Sequence, residues 1–92
     1  MNFTPIDNNG TVDGFCLIKS LDKKTSSKGD TYLDMTLSDA GGEINAKLWR
    51  YNPAVHGEYE INELVKIRGV ISQYNGNDQL KIDRIRKITP ED

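Results

Sequence analysis

The sequence predicts an all-β domain, a five-stranded Greek-key barrel with one short helix between the third and fourth strands. Three observations predict it. Apolar residues recur at every second position over 31–39, 43–49 and 65–71, the period of a half-buried strand, and 12–24 and 79–88 read as two further strands. Turn chemistry separates most of these stretches: "TSSKGD" at 25–30, "AGG" at 40–42 and "NGND" at 75–78. The one segment that breaks the alternation, "NPAVHGEYEINEL" at 52–64, falls between the third and fourth stretches.

Residues 1–11 contain Pro5, Asn8, Asn9 and Gly10 and few apolar groups, so a flexible lead-in is expected there. "VDGFCLIKSLDKK", 12–24, is rich in β-formers and long for one strand, with Gly14 available to let it bend. Gly29 supplies a positive φ to the turn that follows. In "TYLDMTLSD", 31–39, Leu33, Met35 and Leu37 point one way, and Tyr32, Asp34, Thr36 and Ser38 the other. "AGG" closes a hairpin onto "EINAKLWR", where Ile44, Ala46 and Leu48 alternate with Asn45, Lys47 and Trp49.

Asn52-Pro53 suits an N-cap followed by the first helical residue. Gly57 implies a short or broken helix, strongest at 59–64. "VKIRGVISQY", 65–74, returns to period two, and Asn75-Gly76 predicts a type I′ hairpin. "QLKIDRIRKI", 79–88, is the last strand, with a bulge after Ile82 where the apolar spacing changes from two to three. Residues 89–92 read as a tail or a linker cut short, leaving 12–88 as the domain.

Ninety-two residues allow one core. No apolar run approaches the ~18 residues that a membrane span needs, and "MNFTPIDNNG" lacks the order of a secretion signal. The lone Cys16 cannot form an internal disulfide, so a reducing cytoplasm is expected, with the thiol in the core rather than acting as a nucleophile. Net charge is −2, which excludes a strongly basic nucleic-acid binder. Setting aside the acids in or near the tails, Asp7, Asp13, Glu91 and Asp92, leaves twelve cations against ten acids in the body.

Three strands, a helical connection and two strands, with a long bent first strand, describe the oligonucleotide/oligosaccharide-binding (OB) plan. An SH3-like barrel normally lacks that helix. With the strands placed, "VDGFCLIKS", "KGDTYLDMTLSD", "GGEINAKLW" and "VKIRGVISQYNGNDQLKIDRIR" resemble the N-terminal OB domain of the YhaM-type 3′-5′ exoribonucleases, from about Val12 to Ile88. In that family the OB domain precedes a metal-dependent HD phosphohydrolase domain. The resemblance therefore implies a substrate-handling module without its catalytic part, and an HD-type nuclease domain as partner. HD chemistry needs several His and Asp ligands, and this chain has only His56, read as a surface or helix-end residue. No cofactor, metal or catalytic set is expected in the chain.

OB modules hold single strands across the outer face of the second and third strands, flanked by two loops. Stacking rings, cations for phosphate and compact polar groups are required there. Tyr32, Thr36, Asn45 and Lys47 supply these on the wet face. Lys28 belongs to the first loop, Tyr74 and Lys81 flank the other, and Arg68 lies on the fourth strand. The ordinary role for Arg68 is pairing with Asp83 or another acid across the ladder. Trp49 shares parity with Lys47 and could extend the stacking surface, but at a strand end it is read first as a plug sealing the barrel under Pro53 or Val55. Asp30, Asp34 and Asp78 oppose phosphate and predict modest affinity.

The expected function is the binding of single-stranded nucleic acid, RNA before DNA, for an exoribonuclease. The alternative is a protein-interaction or structural module docking on its own catalytic domain or forming a homo-oligomer, with Val70, Ile85 and Tyr59 as its apolar patch if exposed. An independent enzyme is the least supported reading, because the acids are scattered.

Overall fold

The computed structural model describes residues 4–5 and 10–92; of the lead-in expected over 1–11, Thr4–Pro5 and Thr11 lie in strands and residues 1–3 and 6–9 lie outside the described residues. Its strands are β1 (Thr4–Pro5), β2 (Thr11–Thr25), β3 (Thr31–Asp39), β4 (Gly42–Leu48), β5 (Leu64–Tyr74) and β6 (Asn77–Lys87), with α1 (Pro53–His56) between β4 and β5. The sheet order is β1-β2-β3-β4-β6-β5, and an additional β2–β5 pairing closes β2 to β6 into a barrel. Every pairing is antiparallel except β4–β6. This is the five-stranded Greek-key plan that the alternation predicts, with the helix in the expected gap.

The alternating residues fill the interior. Leu33, Met35, Leu37, Ile44, Ala46 and Leu48 are buried, together with Val12, Cys16, Ile18, Val65, Ile67, Leu80, Ile82 and Ile85. Among the described residues no polar or charged side chain is buried with them. Burial pushes the Cys16 thiol up to about 12, with a smaller contribution from the charge of Asp39, so this sulfur stays protonated and inert.

Two irregularities let the sheet close. In β6, Arg84 pairs with Arg68 and Ile82 with Gly69, so Asp83 is the extra residue, as the changed apolar spacing predicts. Gly69 is required beneath it: a Cβ there would lie 2.2 Å from the carbonyl oxygen of Lys81. The bend in β2, expected at Gly14, falls elsewhere. Leu17 pairs with both Leu64 and Ser38, and the register shifts between Ile18 and Ser20. The 58–63 loop supports that handover, because Ile18 N donates to Glu63 O (3.0 Å) and Asn62 N donates to Ile18 O (2.7 Å). Both backbone groups of Ile18 thus find partners where the strand turns.

Asn52 caps α1 as predicted, its side chain accepting from Ala54 N at 3.0 Å, with Pro53 as the first helical residue. The helix expected at 59–64 does not form. Gly57, at φ 90°, ends the first turn, and Asn62 adopts φ 70°. Tyr59 is instead buried among the core residues, its hydroxyl against the carbonyl oxygens of His56 and Ile85. Tyr59, rather than Trp49, is the aromatic that enters the core. Asn75 (φ 52°) and Gly76 (φ 80°) form the β5–β6 turn with the positive angles a type I′ turn needs.

Candidate nucleic-acid interface

The outer face of the barrel is built by pairing register. One row runs Asp22–Asp34–Lys47–Lys81, and the next runs Ser20–Thr36–Asn45–Gln79. Tyr32 pairs with Lys24 one step beyond the first row. Thirty-one to thirty-nine alternates strictly, so the burial of Leu33, Met35 and Leu37 forces Tyr32, Asp34 and Thr36 outward.

Trp49 continues the outward parity of β4. It is 42% exposed, and its ring lies 4.5 Å from that of Tyr32, centroid to centroid, at an interplanar angle of 34°. The plug expected of it is therefore not its role. The local cause is Arg50, which takes the left-handed conformation at φ 53° and turns the chain so that Tyr51 N returns to Thr31 O at 2.8 Å. Trp49 stays on the outside of that turn. Tyr51 packs against the core instead, its hydroxyl donating to Gly57 O at 2.7 Å.

The two rings wall a groove of about 540 Å³ whose other lining residues include Ser26, Ser27, Lys28, Asp30 and Arg50. The loop is held in shape by Ser26, whose backbone N–H donates to Asp30 O (2.8 Å) while its carbonyl accepts from Gly29 N (2.9 Å). Arg50 and the two serines escaped sequence reasoning. Arg50 was legible only as the residue following a strand-end tryptophan, and its left-handed turn has no signature in a non-glycine residue.

Beside the rings, Asp34 is the hub of a polar network. It accepts from Lys24 Nζ (2.9 Å), Asn45 Nδ2 (2.8 Å) and Lys47 Nζ (3.3 Å). Asn45 Oδ1 in turn accepts from Lys47 Nζ (3.0 Å) and Gln79 Nε2 (2.8 Å). Partial burial raises the carboxyl pKa of Asp34, but the hydrogen bonds from Asn45 and Lys24 and the charge of Lys47 outweigh it and hold the pKa below its ordinary value. Asp34 therefore stays ionised and balances the two lysines. Thr36 is anchored through its backbone N–H, which donates to Ser20 Oγ at 3.1 Å.

Most of the residues singled out from sequence thus meet on one surface: Lys28, Tyr32, Thr36, Asn45, Lys47, Trp49 and Lys81. Lys28, Arg50 and Lys81 have no ion-pair partner among the described residues. The side chain of Tyr74 lies outside the described part of the structure; its backbone pairs with Asn77 beside the turn. Arg68 does not join this surface. It pairs across the ladder with an acid, as its ordinary role requires, the partner being Asp13 (3.5 Å), and it lines a different groove. His56 ends α1, its Nδ1 accepting from Asn52 N at 3.0 Å. Among the described residues no group of three or more His, Cys, Asp or Glu is arranged to hold a metal ion. Of the expected apolar patch, Ile85 and Tyr59 are buried and Val70 is half-buried, while among the described residues Phe15, Val55, Ile61 and Leu64 are the large apolar side chains exposed besides Trp49.

Comparison with known proteins agrees with this geometry. The model of the OB-fold nucleic acid binding domains matches residues 17–88. The 3′-5′ exoribonuclease YhaM of Listeria monocytogenes serotype 4b is 43% identical over 82 residues, which is 89% of this chain and 26% of the relative. That of Halalkalibacterium halodurans is 41% identical over 81 residues, 88% of this chain and 25% of the relative. The chain spans about a quarter of the length of these curated relatives. Among solved structures, a replication protein A heterotrimer bound to single-stranded DNA aligns at TM-score 0.70 with 14% identity, covering 87% of this chain and 58% of that one. The second OB-fold domain of replication protein A from Methanococcus maripaludis aligns at 0.66 with 16% identity, covering 87% and 85%. At these identities the two structures share the fold.

Proposed function

Because the chain belongs to the family of OB-fold nucleic acid binding domains, we propose that it holds single-stranded RNA for a 3′-5′ exoribonuclease whose catalytic HD domain lies outside these 92 residues, in the cytoplasm. The observation that carries this reading is the exposed Tyr32–Trp49 pair walling a groove with Lys28 and Arg50 on its rim. A base stacks on the rings while the adjacent cations meet phosphate and Thr36 offers its hydroxyl to the base edge or the 2′-hydroxyl; Asn45, its amide engaged by Asp34, Met35, Lys47 and Gln79, holds that face in shape. Two of the nearby lysines are balanced by Asp34, so the affinity is modest and the rings supply much of it. The relatives' name supports RNA over DNA, whereas the replication protein A heterotrimer that shares the fold is bound to single-stranded DNA.

Trp49 is the only tryptophan in the chain, which makes the test direct. Titration with a short single-stranded RNA is expected to quench its fluorescence as a base stacks on the ring. Tyr32→Ala is expected to weaken that binding by about 1–3 kcal/mol, the usual worth of one base–aromatic stack. Saturable binding with no change in Trp49 emission would sink this reading.

A second reading, docking on a protein partner, is favoured by Val55, Ile61 and Leu64, which are exposed on and after the α1 connection. Concentration-dependent self-association, or binding to the separately produced nuclease domain without RNA, would select it.

A further inference from the structure

The ladder between β5 and β6 sets cation against cation. Arg68 is in register with Arg84, and Lys66 with Arg86. β2 completes the two rows, placing Asp13 opposite Arg68 and Phe15 opposite Lys66. Like charges directly opposite one another destabilise a sheet. The array thus works against the fold, and internal acids relieve it only partly. Asp13 lies 3.6 Å from Lys66 Nζ and 3.5 Å from Arg68 Nη2. Asp83 lines the same groove of about 410 Å³. Arg84 has no ion-pair partner among the described residues.

One arginine that lines the groove already grips an oxyanion. Arg86 holds the Asp92 carboxylate through two N–H···O bonds of 2.7 Å each, the forked pose in which a guanidinium also takes phosphate. An exposed ring stands beside the cations, with Lys66 Nζ 5.3 Å from the centroid of Phe15. Finally, the array connects to the first surface along one strand. Lys81 of β6 is in register with Lys47, and Arg84 and Arg86 follow on β6 beyond the extra residue Asp83.

We propose that this β2–β5–β6 face is a second tract for the sugar–phosphate backbone of a single strand, taken up when the strand is long enough to run from the Tyr32–Trp49 groove along β6. The proposal rests on the reading of the first surface as a single-strand site. Phosphate is favoured over an acidic peptide by the regular two-residue repeat of the cations, ~6.6–6.8 Å along each strand, which suits evenly spaced charge. Continuity with Lys81 favours it too.

The test uses labelled oligouridylates of about 5 and about 16 nucleotides, the span of OB site sizes, with the 92-residue chain and its Arg68→Gln/Arg84→Gln variant. Both substituted residues are exposed, so the melting temperature of the variant serves as the folding check. The longer strand is expected to bind the variant on the order of tenfold more weakly at 0.1 M salt, its log–log salt slope reduced by about 1.4 for two lost contacts. The shorter strand is expected to bind as before. Unchanged affinity for the longer strand, or equal loss for both lengths, overturns the proposal. So does a variant that keeps its RNA affinity but loses binding to a glutamate-rich peptide, which would mark a protein site. Tyr32→Ala separates the two readings: if it leaves the shorter strand's affinity unchanged, the first surface fails on its own account.

Discussion

Asp34 governs how much positive charge the outer face of β3 and β4 presents. It balances Lys24 and Lys47, and Asn45 holds it in place. Asp34→Asn removes the charge and releases both lysines. Affinity for single-stranded RNA is expected to rise, with the salt slope steeper by about 1.4, two cations at ~0.7 each. Its pH signature has a definite sign. Because its folded pKa is depressed, the contribution of Asp34 to stability is complete above the ordinary carboxyl value of about 3.9 and is lost as pH falls through the lower folded value. The melting-temperature gap between wild type and Asp34→Asn is therefore expected to be constant near neutrality and to close in acid. At this scale the sequence was partly legible. Alternation put Tyr32, Asp34 and Lys47 on one face, but the pattern records no distances, so Asp34 read as an opponent of phosphate and not as the partner of two lysines. Trp49 had the right parity, and only its position at a strand end argued for a plug. The left-handed turn at Arg50 that keeps the ring outside has no sequence signature.

Among the elements, β6 and the α1 connection carry the sharpest expectations. Gly69→Ala puts a Cβ against the backbone of Lys81, which side-chain motion cannot relieve. Chemical denaturation is expected to show a loss of about 1–3 kcal/mol, as for overpacked interiors. Met35→Ala, a cavity in the fully buried β3 row, is expected to cost about 2–5 kcal/mol. Arg84→Gln, by contrast, removes one half of an opposed like-charge pair and is expected to leave the melting temperature unchanged or raised. Strands were legible here because three runs repeat at period two, the first is rich in β-formers, and the turns carry glycine or Asn-Gly. The extra residue in β6 was legible from the apolar spacing. The helix was legible only at its start: Asn52 and Pro53 announce a cap, whereas the conversion of 59–64 into a loop follows from the burial of Tyr59, a tertiary event. The β2 bend was misplaced for the same reason, since its support comes from Asn62 and Glu63, far away in the chain.

For the whole molecule, a net charge of −2 conceals two different faces. One joins paired rings to a polar network in which a single carboxylate offsets part of the charge of two lysines, and the other gathers Lys66, Arg68, Arg84 and Arg86. Strand order and a closed barrel were legible from element order alone, because a small antiparallel sheet that leaves no open edge has few solutions. Which exposed residues share a face around the barrel was not, and Arg68 was grouped with Tyr32 for want of that register. With about three to five phosphate contacts, binding of a short strand is expected to show a log–log salt slope of about −2 to −4, far shallower than for a strongly basic binder. The most direct measurement of the central claim is a map of backbone amide and Trp49 indole shifts during addition of a short single-stranded RNA. Displacements are expected to gather on residues 26–36 and 45–50 and on the indole, with β5 at Lys66–Arg68 unmoved by the short strand. A saturating titration whose shifts avoid Tyr32 and Trp49 would contradict the account.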